Sequence, residues 1–269
     1  MKQLLILTLP LILTACFDMP KKEDIDKMKE ELQKLTQNRD FIYTDSRDSF
    51  AVSLVDTVKL EDPETDNVPV TFTKGISSYT GAFQDHLKSG SWLYNSKIKN
   101  INTITWFPFT IDRLGIRTNL PENGKFDSLD VKTERFGLFV KEDSLLVQFH
   151  ADTLTAMVKR RPYEDLVTDQ MISKGYKLAK SENKLLQDSA NVISVTLLTF
   201  QKGKEELYCK VAYAVMQQGY LAFTTQYSEK NMIEGLQLFD GILTNMFFRE
   251  ARFYYPYKKR DKAAKQEAE

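Results

Sequence analysis

The sequence has few of the residues from which metal centres and many active sites are built. Among its 269 residues there are two histidines, His86 and His150, and two cysteines, Cys16 and Cys209. Neither type occurs in pairs at metal-ligand spacing, so the sequence predicts no metal site and no bound cofactor. It also has no nucleophile elbow, no glycine-rich phosphate loop and no dinucleotide fingerprint, and it matches none of the enzyme classes that depend on these motifs.

An excess of charge and a membrane-spanning segment are missing as well. The 37 basic side chains balance the 37 acidic ones. The two signs are mixed along the chain, so no long-range field attracts nucleic acid. The apolar stretch from Leu4 to Leu13 has about ten residues, far fewer than the roughly 20 that a transmembrane helix needs. With Lys2 before it, this stretch is typical of a signal peptide, which we assign to residues 1–15.

The end of the signal peptide resembles the lipobox of bacterial lipoproteins. Leu13-Thr14-Ala15-Cys16 has the branched apolar residue, the two small residues and the cysteine of that motif. The resemblance implies that Cys16 becomes the first residue, carries a diacylglycerol and an acylated amine, and anchors the protein to a membrane through lipid chains such as palmitate. Lipidation would leave Cys209 without a disulfide partner. The alternative is an ordinary secretory signal in which Cys16 lies near the cleavage site by chance.

Two further resemblances concern the membrane to which the protein is anchored. Phe17 follows the cysteine, in place of the aspartate that retains lipoproteins at the inner membrane of many enteric-type bacteria, so the outer membrane is the expected location. Lys22-Glu23-Asp24 is similar to the export signal of surface lipoproteins in some Bacteroidetes. The face of the membrane, periplasmic or cell-surface, stays open.

The chain after Cys16 divides into a tether and a domain. In residues 16–40, apolar side chains recur at spacings of three and four, which predicts a short amphipathic tether helix; they are Ile25, Met28, Leu32 and Leu35. From Phe41 onward the hydrophobic period changes to two, which predicts strands within residues 41–120.

The second half of the sequence predicts a hairpin, a helix, a three-stranded meander and a closing helix. The hairpin covers 136–149, and Pro162 and Gly175 bound the first helix. The meander runs over 193–200, 206–215 and 220–227, with short glycine-containing turns between the strands. Ser228 is the predicted N-cap of the closing helix.

This order of elements, together with the pattern GYLAFTTQYSEKNMIEGLQLFDGILTNMFF, is similar to the PsbP family. That family is named for a protein of the oxygen-evolving complex of photosystem II, and its bacterial relatives include small lipoproteins and secretion chaperones. The resemblance covers residues 131–248. It implies an α+β fold, an antiparallel sheet with helices packed on it, within a domain of residues 41–250.

Aromatic residues in two places are candidates for a partner surface. The first group surrounds a proline, which argues against a central strand, and the second begins the aromatic and then charged tail of residues 251–269. The candidates are Trp106, Phe107, Phe109, Tyr254 and Tyr255. The alternative is that these side chains belong to the core, as most aromatic residues do.

The remaining candidates for chemistry are weaker. Cys209 lies in an alternating strand pattern and is predicted to be a small core residue. Acidic pairs such as Asp127 with Asp130 and Glu164 with Asp165 could serve a hydrolase, but the sequence does not give their separation.

Three functions are consistent with these patterns. The first hypothesis is an envelope lipoprotein that is not an enzyme and binds a partner protein, as an assembly or accessory factor of an envelope or secretion system or as a toxin-neutralising immunity protein. A small-ligand or cell-wall binding lipoprotein is the alternative. A carboxylate-type hydrolase is the second alternative.

Overall fold

The computed structural model describes residues 41–47, 49–54, 62–75, 77–96, 102–122, 124–126, 135–140, 145–152 and 162–259. These residues belong to one compact unit, which begins at residue 39. The predicted signal peptide, Cys16, the tether helix and residues 260–269 of the tail lie outside the described residues. Among the described helices, none is long and apolar enough to cross a bilayer.

The fold is mostly antiparallel sheet and curls into a half-barrel. The first sheet has ten strands: β1 (Phe41–Thr44), β2 (Ser49–Leu54), β3 (Val70–Lys74), β4 (Ser77–Gln84), β5 (Leu87–Ser96), β6 (Asn102–Ile111), β7 (Ile116–Pro121), β15 (Phe247–Phe248), β16 (Ala251–Arg252) and β17 (Tyr257–Lys259). The second has seven: β8 (Gly124–Phe126), β9 (Arg135–Val140), β10 (Leu145–Asp152), β11 (Lys177–Gln187), β12 (Val192–Lys202), β13 (Glu205–Met216) and β14 (Gly219–Ser228). The spatial orders are β16-β15-β7-β6-β5-β4-β3-β2-β1-β17 and β11-β12-β13-β14-β10-β9-β8.

The described residues contain two α-helices, α1 (Tyr163–Ser173) and α2 (Met232–Thr244). Short 3-10 turns cover Asp112–Leu114 and Glu229–Asn231. The predicted antiparallel sheet is confirmed, but the fold is richer in strands than the predicted α+β layout with helices packed on a sheet. Ser228 precedes the second 3-10 turn, and the residue at the N-cap of α2 is Asn231.

The predicted hairpin and meander are confirmed. Strands β9 and β10 pair antiparallel, with Val140 opposite Leu145. Strands β12, β13 and β14 pair in succession, with Ile193 opposite Ala214 and Leu207 opposite Ser228. Alternating side chains between short turns were sufficient to predict this part, because such local signals fix both the strands and their neighbours.

Strand β6 corrects one expectation from the sequence. Pro108 argues against a central strand, yet β6 lies between β5 and β7, and Pro108 stands opposite Asn119. The side chain that the sequence placed on a possible partner surface, Trp106, is fully buried within this strand.

Helix α2 lies between the two sheets and touches both. Its Phe239 ring is 4.8 Å from the ring of Phe223 in β14, between centroids. On another side of the helix, the indole of Trp106 in β6 approaches so closely that a Cβ on Gly241 would lie 2.6 Å from it. A Cβ on Gly235 would lie 2.3 Å from the ring of Tyr227. The two glycines therefore allow a helix to fit between two sheets at a distance that larger residues would prevent.

The second sheet has a hydrophobic cluster on each face. One face contributes Ile193, Val195, Phe223 and other side chains to the main core around α2. The opposite face packs on α1, through Tyr163, Val167 and Met171 of the helix. We call this second face, which α1 covers in part, the outer face of the sheet.

Candidate functional site

The structure separates the five aromatic residues that the sequence offered as a partner surface. Trp106 and Tyr254 are buried, so neither can contact a partner in this structure. The Tyr254 hydroxyl is 2.8 Å from Oγ1 of Thr44. Phe109 is partly buried against the core. Phe107 and Tyr255 are exposed, and partner binding through these two stays a prediction.

A groove on the outer face of the second sheet is a stronger candidate. It has a volume of about 750 Å³. Strands β11, β12 and β13 contribute most of its walls and the first turn of α1 closes one side. The lining residues are Glu164, Asn183, Leu185, Ala190, Asn191, Val192, Ser194, Tyr213, Ala214 and Val215. We call this feature the outer groove.

The outer groove exists because α1 is shorter than the strands beneath it. Helix α1 has 11 residues and is about 16 Å long. Strand β13 has 12 residues and extends over about 40 Å. On this strand Val211 and Val215 point to the same face, since they are an even number of residues apart. Val211 is buried beneath the helix, whereas Val215 lies beyond it and is exposed.

Three apolar side chains remain exposed around the outer groove. The exposed fractions are 65% for Leu185, 52% for Val192 and 60% for Val215. Their polar neighbours are ordered by hydrogen bonds: Nδ2 of Asn183 donates to Oγ of Ser194 at 2.8 Å and to Oγ1 of Thr196 at 2.7 Å. The groove thus combines apolar walls with a polar floor, on which the side-chain amide of Asn183 already donates two hydrogen bonds.

Glu164 is the charged residue of the outer groove. The hydroxyl of Tyr213 donates to Oε1 of Glu164 at 3.3 Å. The other oxygen, Oε2, is shielded from solvent and has no hydrogen-bond partner within the described part of the chain. Burial also raises the pKa of Tyr213, so this hydroxyl keeps its proton and remains a donor at neutral pH.

A second arrangement of charged side chains lies between the sheets; Arg47 is exposed at its edge, and its other members are buried. Arg47 Nε is 2.7 Å from Asp240 Oδ2, and Lys210 Nζ is 3.6 Å from Asp240 Oδ1. The Ser46 hydroxyl donates to Asp240 and accepts from Lys210. We call Asp45, Arg47, Lys88, Lys210 and Asp240 the inter-sheet charge cluster. Its members come from the β1–β2 turn, β5, β13 and α2.

Burial sets the direction of the pKa shift for Asp45 and Lys210 in this cluster, but not for Asp240. Burial raises the pKa of Asp45 to about 6. The negative charge of Asp240 adds to this shift, and the positive charge of Arg47 opposes it. Burial lowers the pKa of Lys210, although the negative charge of Asp240 acts in the opposite direction. Burial alone would raise the pKa of Asp240, but the charges of Lys210 and Arg47 together lower it. Lys210 is ion-paired with Asp240 and donates a hydrogen bond to the hydroxyl of Ser46. Because the lysine is the donor in this contact, it does not act as a base toward the Ser46 hydroxyl.

One group of described residues has the donor atoms of a metal site. His86 Nδ1 is 3.5 Å from Asp62 Oδ2 and 3.7 Å from Glu64 Oε2, and the three ligand atoms lie within 4.8 Å of one another. However, Arg252 donates to both carboxylate oxygens of Glu64. A cation would have to share these oxygens, so the group is held together in this structure as an ion-pair cluster.

The other chemical candidates of the sequence are accounted for in part. Cys209 is buried, as predicted, and burial raises its pKa to about 12, which keeps the thiol protonated. His150 is buried with its ring stacked on that of Tyr163, 5.7 Å between centroids. Of the acidic pairs, Glu164 lines the outer groove, while Asp127 and Asp130 lie outside the described residues.

The outer groove and the inter-sheet charge cluster were both missed by reasoning from the sequence. Strand β11, which carries Asn183 and Leu185, has exposed side chains at all but one of its positions and shows no alternation. The lysines at 88 and 210 are single charges in otherwise ordinary strand patterns. Glu164, in the first turn of the predicted helix, was named from the sequence as one member of an acidic pair and not as part of a groove.

No family model matches the chain, and no curated protein matches it. One solved structure that it resembles is PsbP. This is the solution structure of cyanobacterial PsbP (CyanoP) from Synechocystis sp. PCC 6803, with 10% sequence identity and a TM-score of 0.41. The similarity covers 56% of this chain and 96% of the cyanobacterial one. It is a likeness of fold only.

Proposed function

We propose that the protein is a lipid-anchored protein of the bacterial cell envelope that binds a partner protein and is not itself an enzyme. The sequence Leu13-Thr14-Ala15-Cys16 supports the anchor. The outer groove supports the binding role and is the observation on which that role depends. The outer membrane is the proposed location, for the reason given by Phe17.

The case for a partner rests on the grouping of exposed apolar side chains. Single exposed hydrophobic residues are normal on protein surfaces, whereas contiguous ones mark interaction sites. Leu185, Val192 and Val215 come from three adjacent strands and line one groove. An assembly factor and an immunity protein would use such a surface in the same way, so the identity of the partner distinguishes these two roles.

A small-ligand protein is the second candidate. The volume of the outer groove, about 750 Å³, is in the range of roughly 300 to 1,000 Å³ that small-molecule sites occupy. Capture of a protein at the groove would favour the first function over this one.

The anchor can be tested by replacing each cysteine in turn. In cells supplied with labelled palmitate, Cys16→Ser is expected to abolish the label and release the protein from the membrane fraction, since each buried methylene contributes about 0.8 kcal/mol of membrane affinity. Cys209→Ala is the matched control and should keep both label and location, because Cys209 is a buried core residue. Label retained in Cys16→Ser would contradict the anchor.

Binding at the outer groove can be tested by photo-crosslinking the full-length protein in its native membrane. A photoreactive side chain in place of Val215 is expected to give one major adduct with another protein. The same side chain in place of Ile233, which is also exposed but lies on α2 away from the groove lining, should not. Equal adducts at the two positions, or none at position 215, would count against the proposed function.

A further inference from the structure

The outer groove has one feature that selects among possible partners. Of the ten described side chains that line it, Glu164 is the one that carries a charge. The groove therefore presents a negative charge at one end and apolar side chains along its walls. A ligand complementary to it combines apolar groups with a cation.

Two structural features fix the position of Glu164. It lies in the first turn of α1, where the free backbone N–H groups and the helix dipole stabilise a negative charge. Tyr213 donates a hydrogen bond to its Oε1. The carboxylate is thus held in position on one side by the helix and by a tyrosine.

The second feature of Glu164 is its other carboxylate oxygen, Oε2. Oε2 is shielded from solvent and receives no hydrogen bond from the described residues. A charged oxygen that is withdrawn from water and unpaired is costly, and hydrogen bonds to charged groups are stronger than those between neutral ones. A cation that pairs with the carboxylate of Glu164 from the groove would offset this cost. The amide of Asn183 does not compete, because it is already bonded to Ser194 and Thr196.

We infer that the outer groove binds a short apolar segment of a partner protein that carries a lysine or an arginine, and that this cation pairs with the carboxylate of Glu164. The apolar side chains of the segment lie against Leu185, Val192 and Val215. This inference rests on the proposed function and names the chemistry of its partner. An acidic segment is excluded by repulsion from Glu164.

The inference can be tested with peptides selected from a displayed random library against the full chain in detergent. Selected sequences are expected to have a lysine or arginine among apolar residues. Their affinity, measured by fluorescence anisotropy, should fall about 10- to 100-fold for Glu164→Gln, the range for loss of a charge-assisted hydrogen bond. Glu164→Lys should bind the same peptides more weakly still, and replacing the basic residue of the peptide by glutamate should restore binding to this variant.

A control and two contrary outcomes complete the test. Glu182→Gln removes a charge from β11 that does not line the outer groove, and it should leave binding unchanged. Peptides without a basic residue, or equal binding to the wild type and Glu164→Gln, would overturn the inference. A crosslink from position 215 to a second copy of this chain would also overturn it. If position 215 captures another protein but Glu164→Lys does not weaken the capture, the inference fails while the proposed function stands.

Discussion

Replacing Lys88 by methionine is expected to stabilise the protein by about 2 kcal/mol at pH 7. Lys88 is 2% exposed, and its ammonium lies over two rings, 4.7 Å from the centroid of Trp92 and 5.3 Å from that of Tyr79. Burial lowers its pKa from 10.5 to about 8, although Asp240 and Asp45 act in the opposite direction. This difference corresponds to roughly 3 kcal/mol against folding, because the unfolded chain keeps the proton more readily.

Methionine keeps most of the packing of Lys88 while it removes the charge. Its unbranched side chain fills a similar volume and makes favourable contacts with aromatic rings. The cation–π contacts that are lost are worth about 1 kcal/mol, which offsets part of the gain and leaves the expected 2 kcal/mol. Lys180→Met, at an exposed site with a surface ion pair, is the control and should change stability by less than about 0.5 kcal/mol.

The pH dependence of this variant gives a second readout. Below pH 8 the folded and unfolded chains both carry the Lys88 proton, so its cost is fully present. Between about pH 8 and pH 10.5 the unfolded chain still binds the Lys88 proton, whereas the folded chain has lost it. In this range the stability of the wild type therefore rises with pH relative to that of Lys88→Met. Urea unfolding at several pH values measures both effects. A variant that is less stable at pH 7, with the same pH dependence as the wild type, would contradict this account.

Replacing Asp240 by alanine is expected to destabilise the protein by about 3 to 5 kcal/mol, the range for breaking a buried ion pair. Asp240 is buried, and it accepts from Ser46 and pairs with Arg47 and Lys210. Without it, the Lys210 ammonium is left in the interior beside the ring of Phe239, 4.5 Å from the centroid. Urea unfolding at pH 7 measures the loss.

A double variant separates the unpaired charge from the loss of packing. Asp240→Leu with Lys210→Met replaces the pair by apolar side chains and should recover most of the stability lost in Asp240→Ala. The pKa of Asp240 is lowered on folding, so its contribution should be present at neutral pH and be lost as the pH falls below about 4. If Asp240→Ala is as stable as the wild type, the inter-sheet charge cluster does not hold the two sheets together.

Particular elements show how far the sequence determines what is observed. Strands β12 to β14 and helix α2 followed from hydrophobic period and turn residues, because these signals are local. Strand β11 did not, because an edge strand with exposed side chains has no period to detect. Trp106 was misplaced since the effect of a neighbouring proline was overestimated.

The sites depend on information that a single sequence does not contain. The inter-sheet charge cluster joins Asp45, Lys88, Lys210 and Asp240 from four separate parts of the chain, and no spacing rule relates them. The outer groove depends on how much of a sheet face α1 leaves uncovered. The two-residue period of side chains along a strand predicts that Val211 and Val215 point to the same face. It does not predict where the helix above them begins.

The pairing of β1 with β17 brings the two ends of the described unit together. Phe41 stands directly opposite Lys259, and neighbouring strands in a sheet are only about 5 Å apart. A linker of a few residues could therefore join the ends, and the chain could be reopened at the exposed Gly203 turn between β12 and β13. Such a circular permutant would keep every strand pairing while moving both chain ends of the described unit to the second sheet, so the fold does not depend on where the chain begins.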